Sequence, residues 1–108
     1  MTPLRVHPDA EDELREGIRY YASVPDGGEL ALDFQQTYLR YEASILNNPL
    51  LYNIRAGIVR RVNLTPRFGE YYIAYMLWHE KVVILAIAHA KRRPYYWRHR
   101  ISESKQMF

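Results

Sequence analysis

Two apolar runs near the C-terminal end constrain the fold more than any other feature of this sequence. They cover residues 71–78 and 82–88, are rich in β-branched and aromatic residues, and are separated only by His79-Glu80-Lys81. Such runs joined by a short polar connection predict a β-hairpin. Its second strand would bring the cationic and aromatic segment 89–100 to one end of a sheet, so we expect functional residues there.

The chain has 108 residues, which predicts a single domain spanning residues 1–108, with only residues 101–108 as a candidate loose tail. Because the sequence contains no cysteine, a disulfide or a thiolate metal site is excluded. No run reaches the roughly 20 apolar residues needed to cross a bilayer, and the first residues lack the apolar centre of a signal peptide. We therefore expect a cytoplasmic protein that does not associate with membranes.

Two helices are predicted in the first half of the chain. Residues 9–23 begin with acids and carry apolar residues at spacings of three and four, and residues 29–46 repeat that spacing. Gly17 lies within the first helix, where close approach of the second helix would explain it. A short edge strand is predicted at residues 4–7, and the alternating segment 58–64 predicts another strand before the hairpin.

The resulting order β-α-α-β-β-β predicts an α+β domain in which two N-terminal antiparallel helices pack on a small, mainly antiparallel sheet. One continuous core is expected, because each element shows one clearly apolar face. Its predicted members come from both helices and from the hairpin: Ile18, Tyr21, Phe34, Tyr38, Tyr41, Ile73, Tyr75, Ile84 and Ile87.

Charge is unevenly distributed, although the formal net charge is only +3. Residues 9–42 contain nine acids and three arginines, whereas residues 43–108 contain eleven lysines and arginines and three acids. The basic half predicts an acidic partner or a nucleic acid. Solvated helices beside a solvated tail would give the same pattern.

Several catalytic signatures are absent from the sequence: a glycine-rich phosphate loop, a Gly-x-Ser-x-Gly elbow and a His-Glu-x-x-His helix. Of the four histidines only His89 and His99 share a segment, and no local acid or thiol completes a zinc set. Asp9, Glu13 and Glu16 fall near one face of the first helix, where solvated acids are far more common than an acid/base pair. No metal or cofactor is therefore predicted.

A cluster of cations and aromatics remains as the candidate functional region. It consists of Lys91, Arg92, Arg93, Arg98 and Arg100 interleaved with Tyr95, Tyr96 and Trp97. Cations neutralise phosphates and flat rings stack on exposed bases, so the cluster suits a surface that binds or cleaves RNA. The same residue types dominate protein interfaces, and an acidic partner would engage them equally well. We expect one of the aromatics to cap the end of the sheet, and none of the cations to be structural.

Four segments, taken in their order and spacing, point to a known family. They are His7-Pro8-Asp9-Ala10-Glu11-Asp12-Glu13-Leu14, Leu46-Asn47-Asn48-Pro49, Tyr72-Ile73-Ala74-Tyr75, and Ala88-His89-Ala90-Lys91-Arg92-Arg93-Pro94 with Tyr96-Trp97. Over nearly its whole length the chain resembles the RelE/ParE toxins of bacterial toxin–antitoxin operons, also called plasmid-stabilisation proteins. The resemblance implies two N-terminal helices on a small antiparallel sheet, and a cytoplasmic toxin neutralised by a cognate antitoxin encoded beside it.

The resemblance also bears on the target. RelE-like members cut messenger RNA in the ribosomal A site, using basic side chains and a tyrosine without metal. The positions that match their second-strand residues are Arg60, Arg61 and Asn63 in this sequence. The third-strand arginine is matched by Tyr72, and the terminal tyrosine falls near Trp97-Arg98. Only Arg92 or Arg93 matches a RelE-like arginine cleanly. General acid–base chemistry needs a proton-transfer group within hydrogen-bond reach, so an incomplete set weakens the nuclease interpretation. ParE-like members lack this set and poison DNA gyrase.

The sequence therefore favours a ParE-like toxin that is not an enzyme and has DNA gyrase as its target. One alternative is a ribosome-dependent mRNA endoribonuclease that uses Arg61, His89, Arg92 and Tyr96, and another is a non-toxic binding module that titrates antitoxin. The residues predicted to contact the target or the antitoxin are Arg60, Arg61, Lys91, Arg92, Arg93, Tyr95, Tyr96, Trp97 and Arg98. The antitoxin should bring an acidic and apolar segment that wraps this domain as a helix, with or without an added strand. Both a homodimer and a hetero-oligomer with antitoxin are compatible with the sequence.

Overall fold

Three helices and a five-stranded sheet make up the computed structural model, which describes residues 2–108. In chain order they are β1 (Leu4–Val6), α1 (Pro8–Ser23), α2 (Gly28–Asn47), β2 (Ile54–Ala56), β3 (Val59–Leu64), β4 (Phe68–Trp78), β5 (Lys81–His89) and α3 (Arg100–Met107). The strands lie in the order β1-β5-β4-β3-β2, with β1 parallel to β5 and the other three pairings antiparallel. The predicted α+β class, with two helices after a first edge strand, is confirmed. None of the described helices is long and apolar enough to cross a membrane.

The predicted hairpin occupies the centre of the sheet. Its strands β4 and β5 pair from Tyr71 opposite His89 to Trp78 opposite Lys81. The two turn residues, His79 and Glu80, have φ values of 49° and 63°. A two-residue turn with positive φ at both positions matches the right-handed twist of the strands that it joins.

Helices α1 and α2 cover one side of the sheet, which we call the helix face. α1 contacts β5 and α2 contacts β3. The predicted role of Gly17 is confirmed, since a Cβ atom there would lie 2.7 Å from Cε2 of Phe34 on α2. All nine predicted core residues belong to the hydrophobic cluster on this face or pack against it.

The expectation of a single core is wrong, because the opposite side of the sheet is covered as well. We call this side the α3 face; its cluster includes Val59, Met76, Leu85 and Trp97, with the partly buried Phe108 packed against it. Strands buried on both faces show continuous apolar runs instead of alternation. The runs at 71–78 and 82–88 have this character, so the error lay in assigning one apolar face to each strand.

Two elements were absent from the predicted order. β2 occupies three residues of the segment between α2 and β3, and α3 occupies the segment expected as a loose tail. Arg100 and Ser104 of α3 are buried, and Nζ of Lys81 donates a hydrogen bond to the backbone oxygen of Phe108 at 2.9 Å. Because α3 has only two buried residues in eight, its apolar periodicity is too weak to identify from sequence.

Candidate functional site

The cationic and aromatic segment does not form one surface, because the chain at residues 89–100 passes around the end of the sheet. Arg92 and Tyr96 line a cleft with residues of α1 and β5, whereas Trp97 is buried in the cluster on the α3 face, against which Tyr96 also packs. Lys91, Arg93 and Arg98 are exposed. The structure therefore divides the predicted contact residues between two separate sites.

The first site is centred on Glu13 of α1, whose side chain is buried. Its carboxylate accepts hydrogen bonds from Nη1 and Nη2 of Arg100 at 2.8 and 3.2 Å, from the backbone N of Ile87 at 3.1 Å, and from the hydroxyl of Tyr96. The interpretation of Glu13 as a solvated acid is thus wrong. The sequence held a signal for this: Ala10, Glu13 and Gly17 recur at helical spacing and form the buried stripe of α1.

Arg100 completes this ion pair, so the expectation that no cation of the segment is structural is also wrong. Its side chain is 7% exposed, and Nη1 donates a second hydrogen bond to the backbone oxygen of Leu85 at 3.0 Å. Burial alone would lower the pKa of Arg100, but its hydrogen bonds to Glu13 and the charge of that carboxylate outweigh burial and raise it. Arg100 is a cation held inside the protein and cannot contact a partner.

The ion pair between Glu13 and Arg100 lies at a part of the sheet edge whose backbone groups have no neighbouring strand. The short strand β1 pairs with β5 only from Val82 to Ile84, so the next part of the β5 edge has no strand beside it. There the Glu13 carboxylate accepts from the amide of Ile87 and the Arg100 guanidinium donates to the carbonyl of Leu85. Two side chains thus replace a strand along this edge and satisfy its backbone polar groups.

A cleft of about 220 Å³ beside this network brings together three of the four residues of the nuclease alternative, His89, Arg92 and Tyr96. The guanidinium carbon of Arg92 lies 4.0 Å from the centroid of the Tyr96 ring, and its Nη1 lies 3.6 Å from Oε2 of Glu13. Burial first, and then the hydrogen bond to Glu13, raises the pKa of Tyr96 well above its ordinary value. Its hydroxyl therefore stays protonated and donates to Glu13.

The electrostatic surroundings of the cleft oppose the approach of a phosphate. Glu13 and Glu16 both line the cleft, and Oε2 of Glu70 lies 3.2 Å from Nε2 of His89. Because Arg100 balances the charge of Glu13, the carboxylates that oppose a phosphate are those of Glu16 and Glu70. Arg92, with 54% of its side chain exposed, is the lining cation available to a ligand.

Arg61, the fourth residue of the nuclease alternative, is not in this cleft. It lies on β3, separated from β5 by β4, and its guanidinium carbon is 3.8 Å from the centroid of the Tyr72 ring on the α3 face. Nε of Arg61 donates to Oδ1 of Asn63 at 3.3 Å, and Nε1 of Trp97 donates to the hydroxyl of Tyr72 at 3.0 Å. Four of the positions matched to the nuclease set, namely Arg61, Asn63, Tyr72 and Trp97, are thus joined by contacts with one another.

Trp97 is 3% exposed, so little of its side chain is open to a target or an antitoxin, and its role as a contact stays a prediction. One of the three aromatics is thus structural, as expected, but it packs on the α3 face of the sheet and not over its end. Arg60 is half-buried and donates from Nη1 to the backbone oxygen of Tyr52 at 2.7 Å, which fixes its side chain against the loop after α2.

A larger groove, of about 600 Å³, lies on the α3 face between the β2–β3 turn and α3. Tyr95, Trp97 and Arg98 line it together with Ile58, which was not predicted as a site residue. The sequence signal was an isoleucine beside Gly57 in a two-residue turn, where polar residues are usual. This groove is the second candidate site.

Comparison with protein-family models gives no match for the chain, and comparison with curated proteins gives none either. Among residues 2–108, no three histidine or carboxylate side chains are grouped where they could hold a metal ion. A functional assignment for this chain therefore depends on its own residues and their geometry.

Proposed function

We propose that this chain is a ParE-like toxin of a type II toxin–antitoxin system, which arrests growth by binding DNA gyrase in the cytoplasm and is neutralised by a cognate antitoxin. The arrangement of two N-terminal helices on a small sheet agrees with what the resemblance to RelE/ParE toxins implies. Because one fold can carry many functions, the choice within the family must depend on the site.

The observation that carries the proposal is the contact between Arg61, Tyr72 and Trp97. A nuclease of the RelE type needs cations that face the scissile phosphate and a group that transfers a proton at the end of the last strand. Here the guanidinium of Arg61 stacks on Tyr72, and the buried Trp97 stands near the tyrosine place. An indole N–H is only a donor and does not serve as a general acid or base. These contacts favour a toxin that acts by binding a protein.

The mRNA endoribonuclease remains the second candidate, because His89, Arg92 and Tyr96 line one cleft. Arg92 could stabilise a phosphoryl transition state from there, with His89 as the proton carrier. The hydrogen bond from Tyr96 to Glu13, the nearby carboxylates of Glu16 and Glu70, and the distant position of Arg61 weigh against it.

The deciding experiment expresses the chain inducibly without a partner and then assays the purified protein. We expect growth arrest, inhibition of supercoiling by purified gyrase, and no cleavage of ribosome-bound messenger RNA. The Arg92→Ala variant separates the two candidates: it should abolish RNA cleavage if this is a nuclease, while Arg19→Ala on the exposed surface of α1 serves as its control. Cleavage of ribosome-bound RNA with unchanged supercoiling would overturn the gyrase proposal.

A second measurement tests the toxin–antitoxin assignment as a whole. The chain is co-expressed with the product of the adjacent gene, and the two proteins are purified together. A stable complex and relief of growth arrest are expected. If the neighbouring protein neither binds nor restores growth, the assignment fails.

A further inference from the structure

The groove on the α3 face combines an apolar interior with exposed apolar walls. Trp97 and Ile101 form part of its lining, and the side chains of Ile58 and Tyr95 border it while remaining 46% and 47% exposed. An aromatic and a branched aliphatic residue around a concave site are typical of the anchoring pockets of protein interfaces. Ile54, on the adjacent strand β2, adds a further exposed apolar side chain at 52%.

The charges around this groove are all of one sign. Arg98 and Lys105 line it, and none of its lining residues is acidic. Within residues 2–108 neither cation forms a salt bridge, and Nζ of Lys105 lies 4.8 Å from the centroid of the Trp78 ring. An occupant that carries carboxylates beside its apolar anchor is complementary to both features.

The same charges argue against a second copy of this chain as the occupant. In a two-fold symmetric dimer through this groove, each copy presents the same patch to the other. Arg98 and Lys105 of one copy would then approach the same cations of its partner, and like charges facing each other disfavour association.

The neighbouring backbone indicates the conformation of the occupant. β2 is the outermost strand on its side of the sheet and pairs only with β3, so its outer backbone groups have no strand partner. An exposed strand edge next to a side-chain pocket is the arrangement that binds extended peptides, because main-chain hydrogen bonds supply affinity and the pocket supplies specificity.

We propose that this groove is a docking site for an acidic peptide segment, which adds an extended strand to β2 and inserts one large apolar side chain between Ile58 and Tyr95, with carboxylates beside Arg98 and Lys105. The inference does not depend on the proposed toxin function, since it defines the chemistry of the partner and not the biological consequence of binding.

The test uses the complete chain and a phage-displayed library of random peptides as the probe. Selected peptides should carry aspartate or glutamate on both sides of a leucine, isoleucine or aromatic residue. One such peptide is then synthesised and titrated into isotopically labelled protein. Amide resonances of residues 54–58 and 95–105 should shift, and hydrogen exchange of the β2 amides should slow.

Surface variants identify the contacts, and each has a matched control away from the groove. Ile58→Asp should lower the affinity for the peptide about tenfold or more. The charge reversals Arg98→Glu and Lys105→Glu together should also lower this affinity and make it depend less on the salt concentration. The controls are Leu32→Asp on α2 and Arg19→Glu on α1, both exposed positions on the other side of the sheet. All of these side chains are on the surface, so the variants should fold.

Several outcomes would overturn the proposal: no selected sequence, selection of basic peptides, binding that Ile58→Asp leaves unchanged, or resonance changes confined to another surface. A concentration-dependent dimer in sedimentation that Ile58→Asp dissociates would identify a second copy as the occupant instead. Loss of peptide binding together with intact gyrase inhibition rejects this inference alone. Peptide binding by a chain that causes no growth arrest rejects only the proposed function.

Discussion

Removing either partner of the ion pair between Glu13 and Arg100 should cost a large part of the stability of this protein. The Glu13→Gln variant keeps the size of the side chain but leaves the buried guanidinium of Arg100 with only the half-exposed carboxylate of Asp9, 3.8 Å from its Nε, as a counter-charge. Breaking a buried ion pair in this way typically costs about 3–5 kcal/mol. A domain of this length has a total free energy of unfolding of about 5–15 kcal/mol, so the variant should lie close to the limit of folding.

The reciprocal variant, Arg100→Met, removes the other partner of the ion pair and should also lower the free energy of unfolding. It leaves the Glu13 carboxylate buried and also removes the hydrogen bond to the Leu85 carbonyl at the unpaired part of β5. The double variant should be less destabilised than the sum of the two single variants by about 2–3 kcal/mol, because each single change already removes the pairing. Urea unfolding followed by circular dichroism gives all three free energies.

The exposed Glu11→Gln on the same helix is the control and should change the free energy of unfolding by no more than about 0.5 kcal/mol. Single variants that each lose less than about 1 kcal/mol would refute the claim that this pair stabilises the edge of the sheet. Strict additivity of the two changes would refute the claim that Glu13 and Arg100 act through each other.

Three further predictions concern the packing and titration of other residues. Gly17→Ala should destabilise by about 1–3 kcal/mol because its Cβ would collide with Phe34, whereas Gly28→Ala, whose Cβ meets nothing within 4 Å, should stabilise slightly; thermal unfolding compares them. Trp97→Phe should cost about 1–2 kcal/mol through its lost hydrogen bond and packing, yet leave binding of the proposed antitoxin nearly unchanged in a pull-down. Burial raises the pKa of Tyr75 to about 12, above the value near 10 in the unfolded chain. Its contribution to stability is therefore complete below about pH 10 and is lost as pH rises through about 12. Urea unfolding across this range should show a smaller decline in the free energy of unfolding for Tyr75→Phe than for the unmutated protein.

The elements of the fold that could be predicted are those whose signal is local. Helical periodicity located α1 and α2, and two β-branched and aromatic runs with a short connection located the central hairpin. Even the steric role of Gly17 could be predicted, because a glycine within an otherwise regular helix has few structural explanations. β2 and α3 were missed because three residues, or eight mostly polar ones, carry too weak a pattern.

The candidate site was harder to predict, because its contacts join residues far apart in the chain. Glu13 and Arg100 are 87 positions apart, and neither residue's local sequence shows that the other will neutralise it. The division of the segment 89–100 between two sites also follows from where β5 ends, since the chain must turn there to reach α3. A cluster that is continuous in sequence was therefore interpreted as one surface.

The parallel pairing of β1 with β5 has a consequence for the order of folding. Leu4 pairs with Val82 and Val6 with Ile84, so β1 pairs with residues nearly 80 positions later in the chain. Closing that loop costs on the order of 3 kcal/mol more chain entropy than closing the two-residue turn of the hairpin. During synthesis β1 cannot dock until β5 has left the ribosome and paired with β4. β1 is made before the other strands of this sheet and should be the last to join it. Pulse-labelled hydrogen exchange should therefore find its amides protected after those of β4 and β5.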